Sequence, residues 1–333
     1  MMMIMPGILL SRCRFATQPF LNMSVPARSF SSQNVAPLLV NPSSVTKDAI
    51  FVDASWHMPN SPRKARGEFL KKRLPQARFL DLDEVAKEHE LGLKHMIPDP
   101  EVFAKFCERS GISRTSPVVL YDTHGIFSSP RALFMFRAFG HTNSSVLDGG
   151  IPAWESTLNA EESSREPLTP EPVQYSPPSL DESVIRGYEQ IVSNSSKFDS
   201  TSELVLDARA RGRFLGTDPE PRPGLSSGHI PNSFSLPFNV FLTQSTNIVS
   251  DEPYPTFKTR DQILGELKKA VGEEETQAIL QGKRKAVTSC GSGMTAGVLW
   301  LGLNLLGVRG VALYDESWTG YAMRPQSKIA KGE

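Results

Sequence analysis

The feature that most constrains the fold is a pattern that runs through the chain twice. Phe51-Val52-Asp53-Ala54-Ser55 returns as Val205-Leu206-Asp207-Ala208-Arg209, and Leu74-Pro75-Gln76-Ala77-Arg78-Phe79 returns as Ile230-Pro231-Asn232-Ser233-Phe234. Val118-Val119-Leu120-Tyr121-Asp122 returns as Ala286-Val287-Thr288-Ser289-Cys290. A small-residue loop, an apolar helix, a glycine and a strand with a polar end then follow in both copies, the last as Leu147-Asp148 and Tyr314-Asp315. Asp122 stands 69 residues after Asp53 and Cys290 stands 83 after Asp207, which fits one fold with a loop insertion in the second copy. Short apolar strands alternating with helical segments predict an α/β chain of two similar domains, each with a mainly parallel sheet flanked by helices.

The 333 residues suit two domains, because single cores usually divide beyond roughly 250–300 residues. Composition turns to Glu, Ser, Thr and Pro between the copies, as in Glu166-Pro167-Leu168-Thr169-Pro170-Glu171-Pro172. Such a segment buries too little to make a core and predicts an extended linker. The frame is a first domain over 36–156, a linker over 157–179 and a second domain over 180–325. Within it, Pro130 and Gly140 bound an apolar helix, Glu101–Ser110 is a helix stopped by Gly111, and the basic run Arg63–Arg73 reads as a solvated helix or loop.

The first 34 residues form a separate segment. Residues 1–47 carry Arg12, Arg14, Arg28 and Lys47 and no acidic residue. With its Arg, Ser and apolar content, this start predicts a mitochondrial transit peptide over 1–34, cleaved near Arg28-Ser29-Phe30-Ser31-Ser32, and a matrix location. A start at Met23 gives a cytosolic form. The rest of the chain holds 32 basic against 36 acidic residues, which argues against a nucleic-acid-binding body. No apolar run approaches the ~20 residues of a membrane span.

Chemistry concentrates at Cys290. A short buried strand runs into Cys290-Gly291-Ser292-Gly293-Met294-Thr295, and an apolar helix follows until Gly307. Gly291 and Gly293 let the backbone curl around the sulfur, and inward amides with the positive end of the next helix favour an anion there. A thiol so placed ionises readily, and the thiolate is a nucleophile. The first copy has Asp122 at this position, which cannot play that part. Cys13 leaves with the leader, and Cys107 sits in an amphipathic helix as a core or half-buried thiol. The three cysteines make no disulfide framework. His57, His89, His124 and His141 have no metal-ligand spacing, so neither a metal nor another cofactor is expected.

The two Asp-led strand ends, the Gly228-His229-Ile230-Pro231 turn and the Cys-Gly-Ser-Gly-Met-Thr-Ala loop closely resemble the tandem rhodanese family, from about residue 36 to 325. Thiosulfate-using members carry basic residues directly after the cysteine, whereas 3-mercaptopyruvate-using members carry Gly-Ser-Gly or similar. The present loop is similar to the second kind, with Met294 where Val is usual. The resemblance implies two rhodanese-like domains and a sulfurtransferase that takes sulfur from 3-mercaptopyruvate onto Cys290 as a persulfide and releases pyruvate. Acceptors are expected to be thioredoxin, small thiols or cyanide. It assigns donor binding to Arg213 and Arg222 with the loop residues Gly291, Gly293, Met294 and Thr295. Bidentate guanidinium is chemically apt for a carboxylate beside a ketone. The resemblance also implies a proton relay of Ser292, His95 and Asp83. Their chemistry allows this, although Ser292 also suits a tight turn and His95 an ordinary loop.

Three other readings compete. Thiosulfate is a dianion that would benefit from loop cations, and none lies between Cys290 and Ala296. A cysteine phosphatase needs an arginine closing the loop, where Ala296 stands. A non-enzymatic persulfide carrier would release sulfur once per chain. His229 is read as structural, Asp53 and Asp207 as capping or arginine-pairing groups, and Trp318 as either the site's mouth or core.

Overall fold

Strand Ile50–Asp53 lies between Val118–Tyr121 and Arg78–Phe79, and its register shows how the repeated motifs become one architecture twice. In this computed structural model, which describes residues 35–159, 161–163, 166–197, 199 and 201–332, all the pairs of both five-stranded sheets are parallel. The first sheet runs Leu39–Val40, Ser144–Leu147, Val118–Tyr121, Ile50–Asp53, Arg78–Phe79. The second runs Ile185–Arg186, Ala312–Tyr314, Ala286–Ser289, Leu204–Asp207, Ser233–Ser235. Counted along the chain, both orders are first, fifth, fourth, second, third.

The register matches residue for residue. Asp53 pairs with Tyr121 and Asp207 with Ser289, so Asp122 and Cys290 leave their sheets at equivalent points. Gln76 and Asn232 both take left-handed backbone, with φ of 53° and 63°, at the same place in the turn entering the third strand. The central strands Val118–Tyr121, Leu204–Asp207 and Ala286–Ser289 are buried throughout, as sheets covered on both faces require. The extra length of the second copy includes an antiparallel hairpin, Leu242–Thr246 with Pro253–Phe257, before helix Arg260–Leu280, which kinks at Gly272.

The copies meet through the helices that follow their loops. Ser129–Ala138 packs on Ala296–Leu305 so closely that a β-carbon on Gly297 would lie 2.7 Å from the Arg131 backbone nitrogen. Phe134 and Trp300 meet edge to face at 5.4 Å. One continuous apolar core therefore contains residues of both copies.

Two expectations change in detail. The run Arg63–Arg73 is not simply solvated: Phe69 and Arg73 are buried, and Lys72–Arg73 pairs antiparallel with Glu162–Ser163. The Pro-rich linker does not stand free either. Val173 donates to the Glu108 carbonyl, and buried Tyr175 meets Phe103 edge to face. An aromatic side chain within a polar stretch supplies that attachment. Cys107 is fully buried, and burial pushes its thiol pKa up. The leader, Cys13 and Met23 lie outside the described residues.

Candidate active site

Cys290 stands one residue beyond the second sheet, 2% exposed. The Ser317–Met323 helix start holds its loop from outside. Cys290 N donates to Ser317 Oγ at 3.1 Å, and Trp318 N donates to the Cys290 carbonyl at 2.9 Å. Thr319 gives both its N–H (2.9 Å) and its hydroxyl (2.5 Å) to the Gly291 carbonyl. Ser317 adopts φ 52° to do this, an uncommon conformation for a residue with a side chain. Gly293, at φ 82°, is required: a β-carbon there would fall 2.8 Å from the Asp315 carbonyl oxygen.

With those carbonyls engaged outside the loop, its amides remain uncommitted. The N–H groups of Gly291, Ser292, Gly293, Met294 and Thr295 donate to no group among the described residues. The first copy shows what such amides do. There the Asp122 carboxylate accepts from the N–H groups of His124, Phe127, Ser128 and Ser129 at 2.9–3.0 Å and from the Ser129 hydroxyl at 2.7 Å. Its loop thus encloses an anion that is built into the chain. The second loop has a thiol instead, so its donors stay open to an anion from outside the loop.

The two predicted arginines do lie over this loop. A β-carbon on Gly291 would sit 3.2 Å from Arg213 Nη2 and 3.7 Å from Arg222 Nη1, so glycine leaves them their space. Arg213 is held by Glu220 through Nε (3.2 Å) and Nη2 (2.5 Å). Glu220 is held in turn by buried Arg209 (2.7 Å), which also pairs with Asp207 and lies 4.2 Å over the Trp318 ring. Burial disfavours the charge on Arg209, but the two carboxylates outweigh it and raise its pKa. Arg222 has no ion-pair partner among the described residues. It lines a cavity of about 490 Å³ with Ser292, Leu93, Met96, Glu316 and Thr319. Both copies wall this cavity. Met294 is buried in the core, and Thr295 immediately precedes helix Ala296–Leu305.

Of the expected relay, the structure joins one half. His95 Nδ1 meets Asp83 Oδ1 at 2.5 Å, and Trp56 Nε1 donates to Asp83 Oδ2 at 3.0 Å. Burial opposes ionisation of Asp83, yet these donors, led by His95, hold its pKa below the usual range. His95 is 3% exposed, and its Nε2 has no hydrogen-bond partner among the described residues. Ser292 is partly exposed at the cavity, and its hydroxyl makes no hydrogen bond among the described residues. No hydrogen bond joins it to His95.

Sequence reasoning did not single out Arg131, and it placed Asp315 only as a strand end; together they fix the junction. Arg131 is 2% exposed. Its Nη2 donates to the His95 carbonyl at 2.6 Å and pairs with Asp315, whose other oxygen accepts from Ile97 N at 3.0 Å. One guanidinium thereby ties the His95 segment to the end of the last strand beside Gly293. An arginine at the head of the apolar run Ala132-Leu133-Phe134-Met135-Phe136 was the available signal. Trp318 is core, with its indole N–H donating to the Ser226 carbonyl at 3.0 Å. His229 is structural, stacked on Phe214 at 3.9 Å and bonded to that residue's carbonyl at 2.9 Å. Asp207 pairs with Arg209, whereas Asp53 caps the Ser55 amide. No group of histidines, cysteines and carboxylates suited to a metal occurs among the described residues.

The rhodanese-like domain family matches residues 47–157 and 192–324. The chain belongs to the rhodanese family. It is 37% identical over 311 residues to the 3-mercaptopyruvate sulfurtransferase of Rattus norvegicus, covering 91% of this chain and 95% of the relative. It is 34% identical over 305 residues to Thiosulfate/3-mercaptopyruvate sulfurtransferase 1, mitochondrial, of Arabidopsis thaliana, covering 86% and 75%. Among solved structures, the Tum1 protein of Saccharomyces cerevisiae superposes with a TM-score of 0.73 at 28% identity, covering 88% of this chain and 98% of that one. The chain is accordingly a sulfurtransferase with two rhodanese-like regions, and the expected fold class holds. Among the described residues no helix is long and apolar enough to cross a membrane.

Proposed function

We propose that the protein transfers sulfur from 3-mercaptopyruvate, through a persulfide on Cys290, to a thiol acceptor or cyanide. The observation carrying this reading is the set of five uncommitted amides over Gly291–Thr295 directly after a buried thiol. The Cys290 thiolate attacks the donor sulfur, the carbon–sulfur bond breaks, and its electron pair leaves with the three-carbon fragment as the enolate of pyruvate. The proton lost by the donor thiol balances the one that converts enolate to pyruvate. An acceptor thiolate then takes the outer sulfur and regenerates the Cys290 thiolate.

The donor follows from charge. A dianionic donor needs cations at the sulfur, and the loop supplies none. Unpaired Arg222 instead offers a planar donor fork at the cavity, suited to a single carboxylate, with Arg213 beside it. For the proton, Asp83 orients His95, and His95 acts through Ser292 once donor fills the gap between them. Thioredoxin or a small thiol is the acceptor in this reading. The acid-free N-terminus and the mitochondrial relative support a matrix location, with a cytosolic form arising from Met23.

Paired assays test the donor: pyruvate release from 3-mercaptopyruvate against thiocyanate formation from thiosulfate. The first is expected to dominate kcat/KM, and dominance of the second would overturn this reading. Arg222→Ala is expected to raise KM for mercaptopyruvate by about 10- to 100-fold, the loss of one charge-assisted contact. An unchanged KM would remove Arg222 from the clamp.

A further inference from the structure

A cavity larger than the one at Ser292 lies elsewhere in the molecule. About 760 Å³ opens beside the Asp122 loop, where the first copy meets the 3₁₀ turn Phe238–Phe241 and the hairpin of the second. The internal repeat makes it the counterpart of the catalytic cavity, since each lies at the loop after the fourth strand and is walled by both copies.

Its polar end reproduces the catalytic one with different residues. Arg63 binds Glu68 through Nε (2.8 Å) and Nη2 (2.7 Å), as Arg213 binds Glu220, and Nη2 also donates to Thr123 Oγ1 at 2.9 Å. Thr123 follows Asp122 as Gly291 follows Cys290. Burial alone would raise the Glu68 pKa, but the Arg63 bonds bring it down to about 2, so the pair stays charged. Arg63 Nη1 makes no hydrogen bond among the described residues. Lys71, exposed on the first copy's wall, has no ion-pair partner there, as Arg222 has none in the other cavity. On the opposite wall Glu252 is an exposed carboxylate that is likewise unpaired, while Lys72 and Glu155 neutralise each other. Between these charges lie Ile126, Phe127, Ile151, Phe238, Leu242 and Tyr254. Phe127 and Phe238 meet edge to face at 5.9 Å across the copies.

The geometry points to a second binding site in this cavity, for a zwitterionic amino acid with a bulky apolar side chain. Its carboxylate goes to Arg63 Nη1 and Lys71, its ammonium to Glu252, and its side chain onto the Phe127 and Phe238 rings. The Asp122 carboxylate already fills the loop's amide cradle, so the site binds without sulfur chemistry.

Calorimetric titration of the full chain with L-tryptophan tests this directly. One molecule per chain is expected to bind, and pyruvate at saturation is expected not to displace it. N-acetyl-L-tryptophan and tryptamine, each lacking one charge, are expected to bind more weakly. Lys71→Glu and Glu252→Lys are each expected to weaken binding roughly tenfold, and Gln244→Trp, which plugs the cavity from an exposed strand position, to abolish it. All three variants should turn over mercaptopyruvate as the parent does. Absence of binding, displacement by pyruvate, or binding indifferent to Lys71→Glu and Gln244→Trp would overturn the proposal.

Discussion

Asp122 and Cys290 occupy one position of one fold and illustrate how a single side chain sets the fate of a loop. Asp122 satisfies four amides and a hydroxyl with its own oxygens, converting the loop into a closed structural device. Cys290 is too weak an acceptor to do so, which leaves the amides uncommitted. Asp122→Asn must therefore place an N–H₂ group against donors. The expected cost is about 2–4 kcal/mol of stability, measured as a lower urea midpoint; an unchanged midpoint would show that the cradle does not depend on the anion. The Cys290 loop was legible in the sequence because glycines, a lone thiol and an apolar helix occur together. The tie of Arg131 to Asp315 was not, because nothing near an arginine shows that its partner stands 184 residues further on; nor was the Arg209, Glu220 and Arg213 set, whose members only the fold brings together.

At the scale of elements, the helix pair Ser129–Ala138 and Ala296–Leu305 brings the two loops and the His95 segment together. Gly297 sets that approach. Alanine there would favour the helix by about 1 kcal/mol on propensity alone, but its β-carbon would meet the Arg131 nitrogen at 2.7 Å and Cα at 2.8 Å. Backbone atoms cannot turn aside as a side chain does. Gly297→Ala is expected to destabilise by about 1–3 kcal/mol and to lower kcat, because Arg131 carries both His95 and Asp315. A stabilised variant with full activity would contradict this account of the junction. The strands and helices next to the two loops were readable from apolar runs and glycine stops, whereas helix Arg260–Leu280 and the hairpin Leu242–Thr246 with Pro253–Phe257 were not. The attachment of the Pro-rich linker and the burial of Arg73 were not, since both depend on surfaces formed only after the first copy has folded.

For the whole molecule, two buried carboxylates of the first copy set a pH dependence. Burial pushes Asp53 up to about 7 and Asp148 up to about 6, from 3.8 for each when exposed. Between those values the folded chain keeps protons that the unfolded chain has lost. Their contribution is therefore fully present below about pH 4 and is lost as pH rises through 6 to 7. Asp53→Asn with Asp148→Asn is expected to flatten that decline, on the order of 2–4 kcal/mol, in urea midpoints compared at about pH 4.5 and 7.5. A slope equal to the parent's would contradict it. The doubled architecture was the most readable property of the chain, because equivalent strand ends recur in order. The assignment of tasks between the copies was less so: the first copy's loop looks merely inactive in sequence, yet that copy's Leu93 and Met96 line the cavity at Ser292 and its Arg131 reaches Asp315 of the second copy.

In the proposed reaction, sulfur rests on Cys290 between donor and acceptor. Intact-protein and peptide mass spectrometry after one equivalent of 3-mercaptopyruvate, with no acceptor present, measures it directly. A gain of one sulfur atom is expected on the peptide containing Cys290, lost when cyanide or a thiol is added, with no such gain for Cys290→Ser. Added sulfur mapping to Cys107, or undiminished pyruvate release by Cys290→Ser, would contradict it.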